Sequence, residues 1–163
     1  MNKKAGIPDG IFYLIALFAV AIISIVGFLI FTSINDEFQQ SNTITDRGKG
    51  IMNSLHGKYV GIIDSAFLMI LVGILIGTCA GVWFIRTHPA LFWIMIPIFA
   101  FIIFLSAIYA NVFFNFSQSE KIISTTNEFT IIPFVMNNYA YVITGVIILI
   151  SILLFSKGKA EAT

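Results

Sequence analysis

Chemistry inside a membrane needs an ionisable side chain in an apolar segment, and Asp64 is the acidic residue closest to that condition. Acids within membrane spans are functional candidates because their desolvation is costly unless they are paired. Asp64 lies about four residues into an apolar run and close to His56 and Lys58, which favours an interfacial cap or ion pair over a proton site. Asn111 and Asn115 share one face of a later predicted helix, near the same side of the membrane, and are expected to hydrogen-bond to Asp64.

The other residues with metal-binding or nucleophilic side chains stand apart from one another. His56 and His88 are predicted on opposite sides of a membrane, and neither has a second ligand three or four residues away, so the sequence predicts no metal site. Cys79 lies in the middle of an apolar run, where hydrocarbon disfavours the reactive thiolate. The glycines lack the flanking strand and the lysine of nucleotide-binding motifs. We therefore expect no enzymatic activity and no cofactor.

A second pattern concerns helix packing. Gly73, Gly77 and Gly81 recur every four residues in GILIGTCAG, and Ser65 falls in the same register eight residues before Gly73. Residues four apart share one helix face, and small residues let two membrane helices approach closely, which is what association in lipid relies on. The pattern predicts a packing face, although glycine is also more frequent in membrane helices in general. The partner is either another helix of the chain or another molecule.

The composition indicates an integral membrane protein. Of 163 residues, 58% are hydrophobic and only 10% are charged, and the mean hydropathy is +0.97, whereas soluble domains carry about 25% charged residues. The net charge of +1 provides no basic field for binding nucleic acid.

Four uncharged stretches are long enough to cross a bilayer, whose core of about 30 Å needs about 20 helical residues. Residues 1–163 are predicted to form a single membrane domain with spans at 10–32, 60–85, 90–114 and 139–155, joined by outer loops 33–59 and 115–138. The first stretch is longer than the apolar core of a secretory signal, about 7–15 residues, and is expected to be retained. Gly48 and Gly50 are expected to interrupt any helix in the first loop.

Basic residues near the span ends predict the orientation, because they are enriched on the inner side. One side has Lys3, Lys4, Arg86, Lys157 and Lys159 in short flanks, and the other has Arg47, Lys49, Lys58 and Lys121 in long loops. The predicted fold is therefore all-α, with four transmembrane helices in two antiparallel hairpins and both termini inside. Pro89 ends a short inner turn, RTHP (86–89), which should make the second and third helices antiparallel neighbours.

Three classes of function fit this architecture. A structural or assembly protein would pack laterally in the bilayer, against itself or other membrane proteins, and would contact a neighbouring protein layer through its loops. A small transporter or channel subunit would need polar residues along a path, and beyond Asp64 and Asn111 the spans hold few of them. An accessory subunit of a membrane enzyme complex would have the same sequence features as the first class. The scarcity of intramembrane polar residues favours the first and third classes.

One stretch resembles a known group of proteins. The run DSAFLMILVGILIGTCAGVWFIRTHPALFWIMI through SAIYAN, about residues 64–111, is similar to small polytopic membrane proteins of icosahedral phages and viruses that have an internal membrane. Its most distinctive part is the turn RTHPALFW between two apolar helices, with Asn111 after the second. The resemblance covers under a third of the chain and implies a structural role: shaping the virion membrane and contacting capsid proteins through the loops. It implies no catalytic residue.

Overall fold

The computed structural model describes residues 7–84 and 89–160, with side chains for residues 12–81 and 93–156. Every element in these ranges is helical: α1 (Ile7–Gln40), α2 (Asp46–Phe84), α3 (Pro89–Ser117), α4 (Ile123–Thr126), α5 (Ile131–Asn137) and α6 (Tyr139–Ala160). Four helices are long and apolar enough to cross a membrane, over Phe12–Gln40, Asp46–Gly81, Trp93–Ser117 and Tyr139–Ser156. The prediction of an all-α protein with four such helices is confirmed, and the architecture is consistent with a multi-pass integral membrane protein.

Several residues used to predict orientation fall outside this description. Lys3, Lys4, Arg86 and His88 lie outside the described residues, and the side chains of Lys157 and Lys159 are not described. The inner turn 86–89 begins in the same gap in the chain. The orientation with both termini inside therefore stays a prediction.

Around the bundle the four long helices follow the order α1, α2, α6, α3. Each packs against the next, and α3 also contacts α1, which closes the bundle. Helices α1 and α2 run antiparallel, because Gln39 near the end of α1 donates to the carbonyl of Lys49 near the start of α2, at 3.0 Å. Further along the same seam, Thr32 Oγ1 lies 2.9 Å from His56 Nε2. Helix α3 packs chiefly against α6 and α5 and makes much less contact with α2. This differs from the expected pairing of the second and third helices, because α6 packs against both and lies between them.

The buried core lies between α1 and the segment that leads into α6. Inward-facing residues recur every three or four positions on α1, which is the spacing of one helix face: Leu14, Leu17, Ala21, Ile25 and Phe28. Facing them are buried side chains from the segment between α4 and α6 and from α2 and α3: Phe129, Ile132, Val135, Met136, Tyr139, Phe67 and Phe113. The short helix α5 therefore lies at the centre of the core, within a segment that the sequence predicts as an outer loop.

Helices α1 and α2 continue beyond the rest of the bundle. Phe18 of α1 contacts Tyr109 of α3, with ring centroids 4.9 Å apart. From that level α3 ends eight residues later at Ser117, whereas α1 runs 22 residues further to Gln40. At 1.5 Å per residue, α1 extends about 20 Å beyond the end of α3. We call residues 33–59 the projecting hairpin.

This hairpin occupies the outer loop predicted at 33–59, in which Gly48 and Gly50 are expected to interrupt any helix. The chain leaves helical conformation only at residues 41–45, and Gly48 and Gly50 lie inside α2 instead of interrupting it. Contacts between the two helices support the extension: Lys49 Nζ donates to the carbonyl of Gln39 at 2.8 Å, and Gln39 donates back to the carbonyl of Lys49. Tertiary support of this kind outweighs the weak helix propensity of glycine.

Candidate functional site

Asp64 is buried at the junction of α2 and α5, where it is 6% exposed. Its Oδ2 accepts the backbone N–H groups of Thr130 at 2.7 Å and Ile131 at 2.9 Å, and its Oδ1 accepts that of Ile132 at 3.0 Å. These are the free donors at the start of α5, and Thr130, the N-cap residue, makes no capping bond with its own side chain. A carboxylate from another helix therefore caps α5, at the end where the helix dipole favours negative charge.

The arrangement of α5 follows from its sequence at both ends. Pro133 occupies the third helical position, where a missing N–H group is tolerated. At the other end, Asn138 interrupts the helix before α6 begins at Tyr139. The Tyr139 side chain is fully buried, and its hydroxyl donates to the carbonyl of Leu14 at 3.1 Å. Polar contacts from α2 and to α1 thus fix α5 at its beginning and just after its end.

The expected polar cluster of Asp64, Asn111 and Asn115 does not form. Asn111 and Asn115 share a face of α3, as predicted from their spacing, but both side chains are exposed. Phe113, between them in the sequence, is fully buried, so the face of α3 that enters the core is the one opposite the asparagines. Asp64 instead bonds to a helix 66 to 68 residues further along the chain.

Sequence reasoning missed an aromatic cluster at the base of the projecting hairpin. The ring of Phe28 stacks on His56 at 5.0 Å and on Tyr59 at 5.4 Å, and it meets Phe129 edge-on at 5.5 Å. His56 is also paired with Thr32. The sequence does contain a signal for this cluster, because Phe28 precedes the turn at 41–45 by about as many residues as His56 and Tyr59 follow it. In an antiparallel helical hairpin this spacing brings the rings to the same level. His56 joins two helices here, and no group of three metal-ligating side chains occurs among the described residues.

The small-residue stripe of α2 faces outward. Ser65, Gly73, Gly77 and Gly81 are all exposed, and a Cβ atom added at any of the three glycines would meet nothing within 4 Å. The same open stripe continues at the same spacing toward the start of α2, where Gly61 and Gly57 are equally free of neighbours and line a shallow groove. Within the described part of the chain, the stripe therefore has no helix packed on it.

The hydroxyl groups of the spans are used locally. Eight of them donate to a carbonyl three or four residues earlier in the same helix: Ser24, Thr32, Ser33, Thr78, Ser106, Ser117, Thr144 and Ser151. Cys79 is partly buried with a free thiol. Thr126 Oγ1, in α4, is the one fully buried side-chain polar atom without a hydrogen bond in the described ranges. The bonded hydroxyl groups are therefore satisfied within their own helices.

No family model, curated protein or solved structure matches this chain.

Proposed function

We propose that this chain is a structural, assembly-type membrane protein that packs laterally in a bilayer and contacts a neighbouring protein layer through one end. The virion membrane beneath an icosahedral capsid is the proposed setting, with capsid proteins as that layer. Both termini lie inside in this proposal, and the projecting hairpin lies outside. The observation that carries the proposal is the open small-residue stripe on α2, which has the spacing for close helix contact and no partner within the described chain.

The use of polar groups supports a structural role over transport. A transport path would expose polar groups to the solute. Here the carboxylate of Asp64 accepts three backbone N–H groups, and the span hydroxyls bond to their own helices. Few residues in the most apolar parts of the α2, α3 and α6 spans are buried inside the chain. They leave wide apolar faces for lipid and for neighbouring proteins.

The projecting hairpin supports a contact beyond the bilayer. Six of its residues are charged: Asp36, Glu37, Asp46, Arg47, Lys49 and Lys58. In this proposal the charged helical hairpin, which extends about 20 Å beyond the end of α3, reaches past the hydrocarbon and presents its surface to a protein layer.

One feature favours the alternative of a small transporter or channel subunit. Helices α5 and α6 form a discontinuous pair broken at Asn138, and transporters often place substrates at the ends of such broken helices. In this chain, however, Asp64 already occupies the start of α5. An accessory subunit of a membrane enzyme complex would use the same open helix faces as a structural protein.

Solute flux separates the structural proposal from transport. We expect vesicles that contain the purified chain to be as permeable to protons, cations and small solutes as protein-free vesicles of the same lipid. Flux above that background, lost in Asp64→Asn, would overturn the structural role.

Chemical cross-linking in the native membrane, followed by mild detergent extraction, tests the assembly role. We expect a defined protein layer to be captured through residues 33–59, whereas capture of redox or enzyme subunits would favour the accessory role.

A further inference from the structure

The projecting hairpin exposes a set of large apolar side chains in a region that carries many charges. Ile34 and Phe38 on α1 are 42% and 39% exposed, and Ile51 and Leu55 on α2 are each 56% exposed. Apolar side chains that face lipid in a span need no partner. Outside the hydrocarbon the same exposure is unfavourable, because the hydrophobic effect favours removing this surface from water.

These four side chains lie on one side of the hairpin. Ile34 and Phe38 are four apart on α1, and Ile51 and Leu55 are four apart on α2, so each pair shares a helix face. Each pair lies about a third of a turn from the α1–α2 seam, which is marked by the contact of Thr32 with His56. On each helix the pair is rotated away from the seam in the same sense along the chain. Because the two helices are antiparallel, these rotations bring both pairs to the same side of the hairpin.

That side faces away from the rest of the bundle. Phe18 of α1 contacts α3 and Asp64 of α2 contacts α5, and both residues lie on the opposite side of the α1–α2 pair. The apolar face also continues toward the membrane through Ile30 on α1 and Ile62 on α2, which are 53% and 63% exposed. The face is therefore continuous, and nothing else in the described chain covers it.

The two helices of the projecting hairpin carry opposite net charges. Residues 33–40 of α1 hold Asp36 and Glu37 and no basic residue, a net charge of −2. Residues 46–59 of α2 hold three basic residues against one Asp, a net charge of +2. Glu37 and Arg47 lie on opposite outer edges of the same hairpin, directed away from the seam, and neither forms an ion pair within the described residues.

We propose that this face docks a second copy of the chain, a partner assignment that rests on the proposed structural function. Two copies with the same topology in one bilayer are related by a two-fold axis along the membrane normal. That axis places α1 of one copy against α2 of the other when the apolar faces meet. The acidic edge then lies beside the basic edge of the partner, with Glu37 near Arg47 of the second copy, while the apolar side chains leave water.

Disulfide trapping between differently tagged chains tests the contact. In a Cys79→Ser background, one chain carries Ile34→Cys and the other carries Leu55→Cys, and both are reconstituted in vesicles and mildly oxidised. The matched control pair is Ser33→Cys with Asn53→Cys, since both side chains are exposed and lie on the opposite side of the same hairpin. We expect at least tenfold more mixed-tag disulfide dimer from the first pair. Equal yields from the two pairs, with equal maleimide labelling of all four cysteines, would overturn the proposal.

A charge exchange provides a second readout that does not depend on oxidation. Glu37→Lys and Arg47→Glu should each lower the mixed-tag dimer yield several-fold, and the chain with both substitutions should recover it, because the opposite charges again face each other. Failure of the double variant to recover, with the helix content of all variants unchanged, would also overturn the proposal. In the native membrane, cross-linking of Ile34→Cys mainly to a different protein would assign the face to that partner instead. Vesicle permeability tests the structural function separately, so that each proposal can fail without the other.

Discussion

Asp64 and Thr130 are 66 residues apart in the chain, and the carboxylate of the first accepts the backbone N–H of the second at 2.7 Å. The contact makes a buried acid part of the framework, because the start of α5 supplies three hydrogen bonds to a charge that would otherwise be buried alone. It also explains how a seven-residue helix holds its place in the core, since isolated helices of this length are unstable.

Removing the Asp64 side chain should destabilise the bundle. Asp64→Ala leaves three backbone N–H groups without an acceptor, one of them buried and two part-buried, and we expect a loss of ~3 kcal/mol in the free energy of unfolding. Asp64→Asn keeps one carbonyl oxygen and should lose about half as much. Denaturant unfolding in mild detergent measures both variants. Ser65→Ala is the control, because the neighbouring side chain is exposed. Equal stability of Asp64→Ala and the control would show that the cap does not support the fold.

The buried hydroxyl of Tyr139 should contribute a smaller amount. Tyr139→Phe removes its hydrogen bond to the carbonyl of Leu14 and keeps the ring in the core, so we expect a loss of about 1 kcal/mol in stability. Tyr141→Phe is a matched control, because that side chain is 79% exposed and makes no described hydrogen bond. The difference between their unfolding midpoints in detergent measures the contribution, and no difference would contradict this role of the hydroxyl.

The sequence predicted the membrane class and the existence of four apolar helices, because hydropathy over about 20 residues reports directly on burial in lipid. It did not predict that the first outer loop is a helical hairpin. Gly48 and Gly50 indicated a break, and the contact between Gln39 and Lys49 that supports the helix joins residues on opposite sides of a turn. Local propensity contains no information about such a contact.

The candidate site shows the same division between local and long-range information. The position of Asp64 near the start of a span indicated an interfacial cap or ion pair, yet its partner, the start of α5, lies too far along the chain for spacing to reveal. The asparagine pair on α3 was placed correctly on one face, but the sequence could not tell which face is buried. The glycine stripe was read as a packing face with an undetermined partner, and only the surrounding helices show that it is open.

The aromatic cluster should hold the base of the projecting hairpin together. His56→Ala removes the ring stacked on Phe28 and the hydrogen bond to Thr32, and we expect a loss of about 1–2 kcal/mol in the local stability of the hairpin. Amide hydrogen exchange should therefore become roughly 5- to 30-fold faster in residues 33–40 and 46–55, with little change in α6. Ser54→Ala is the control, since Ser54 is exposed. Unchanged exchange in His56→Ala would mean that other contacts hold the hairpin.

Bulk added to the small-residue stripe should separate folding from assembly. A Cβ atom at Gly77 meets nothing within 4 Å, so Gly77→Ile should leave the stability of the isolated chain within about 1 kcal/mol of the wild type. It should nevertheless lower the yield of higher-order assemblies extracted from the membrane by about tenfold, because close backbone approach is lost. Gly27→Ala tests the opposite case, because its Cβ atom would lie 3.0 Å from the Tyr59 hydroxyl, and this variant should weaken the α1–α2 seam without affecting the stripe.

The matched control for Gly77→Ile is Gly145→Ile, since Gly145 on α6 is just as open and lies outside the stripe. Equal assembly of Gly77→Ile and Gly145→Ile, measured by native mass spectrometry or cross-linking yield, would assign the stripe to lipid instead of to a protein partner.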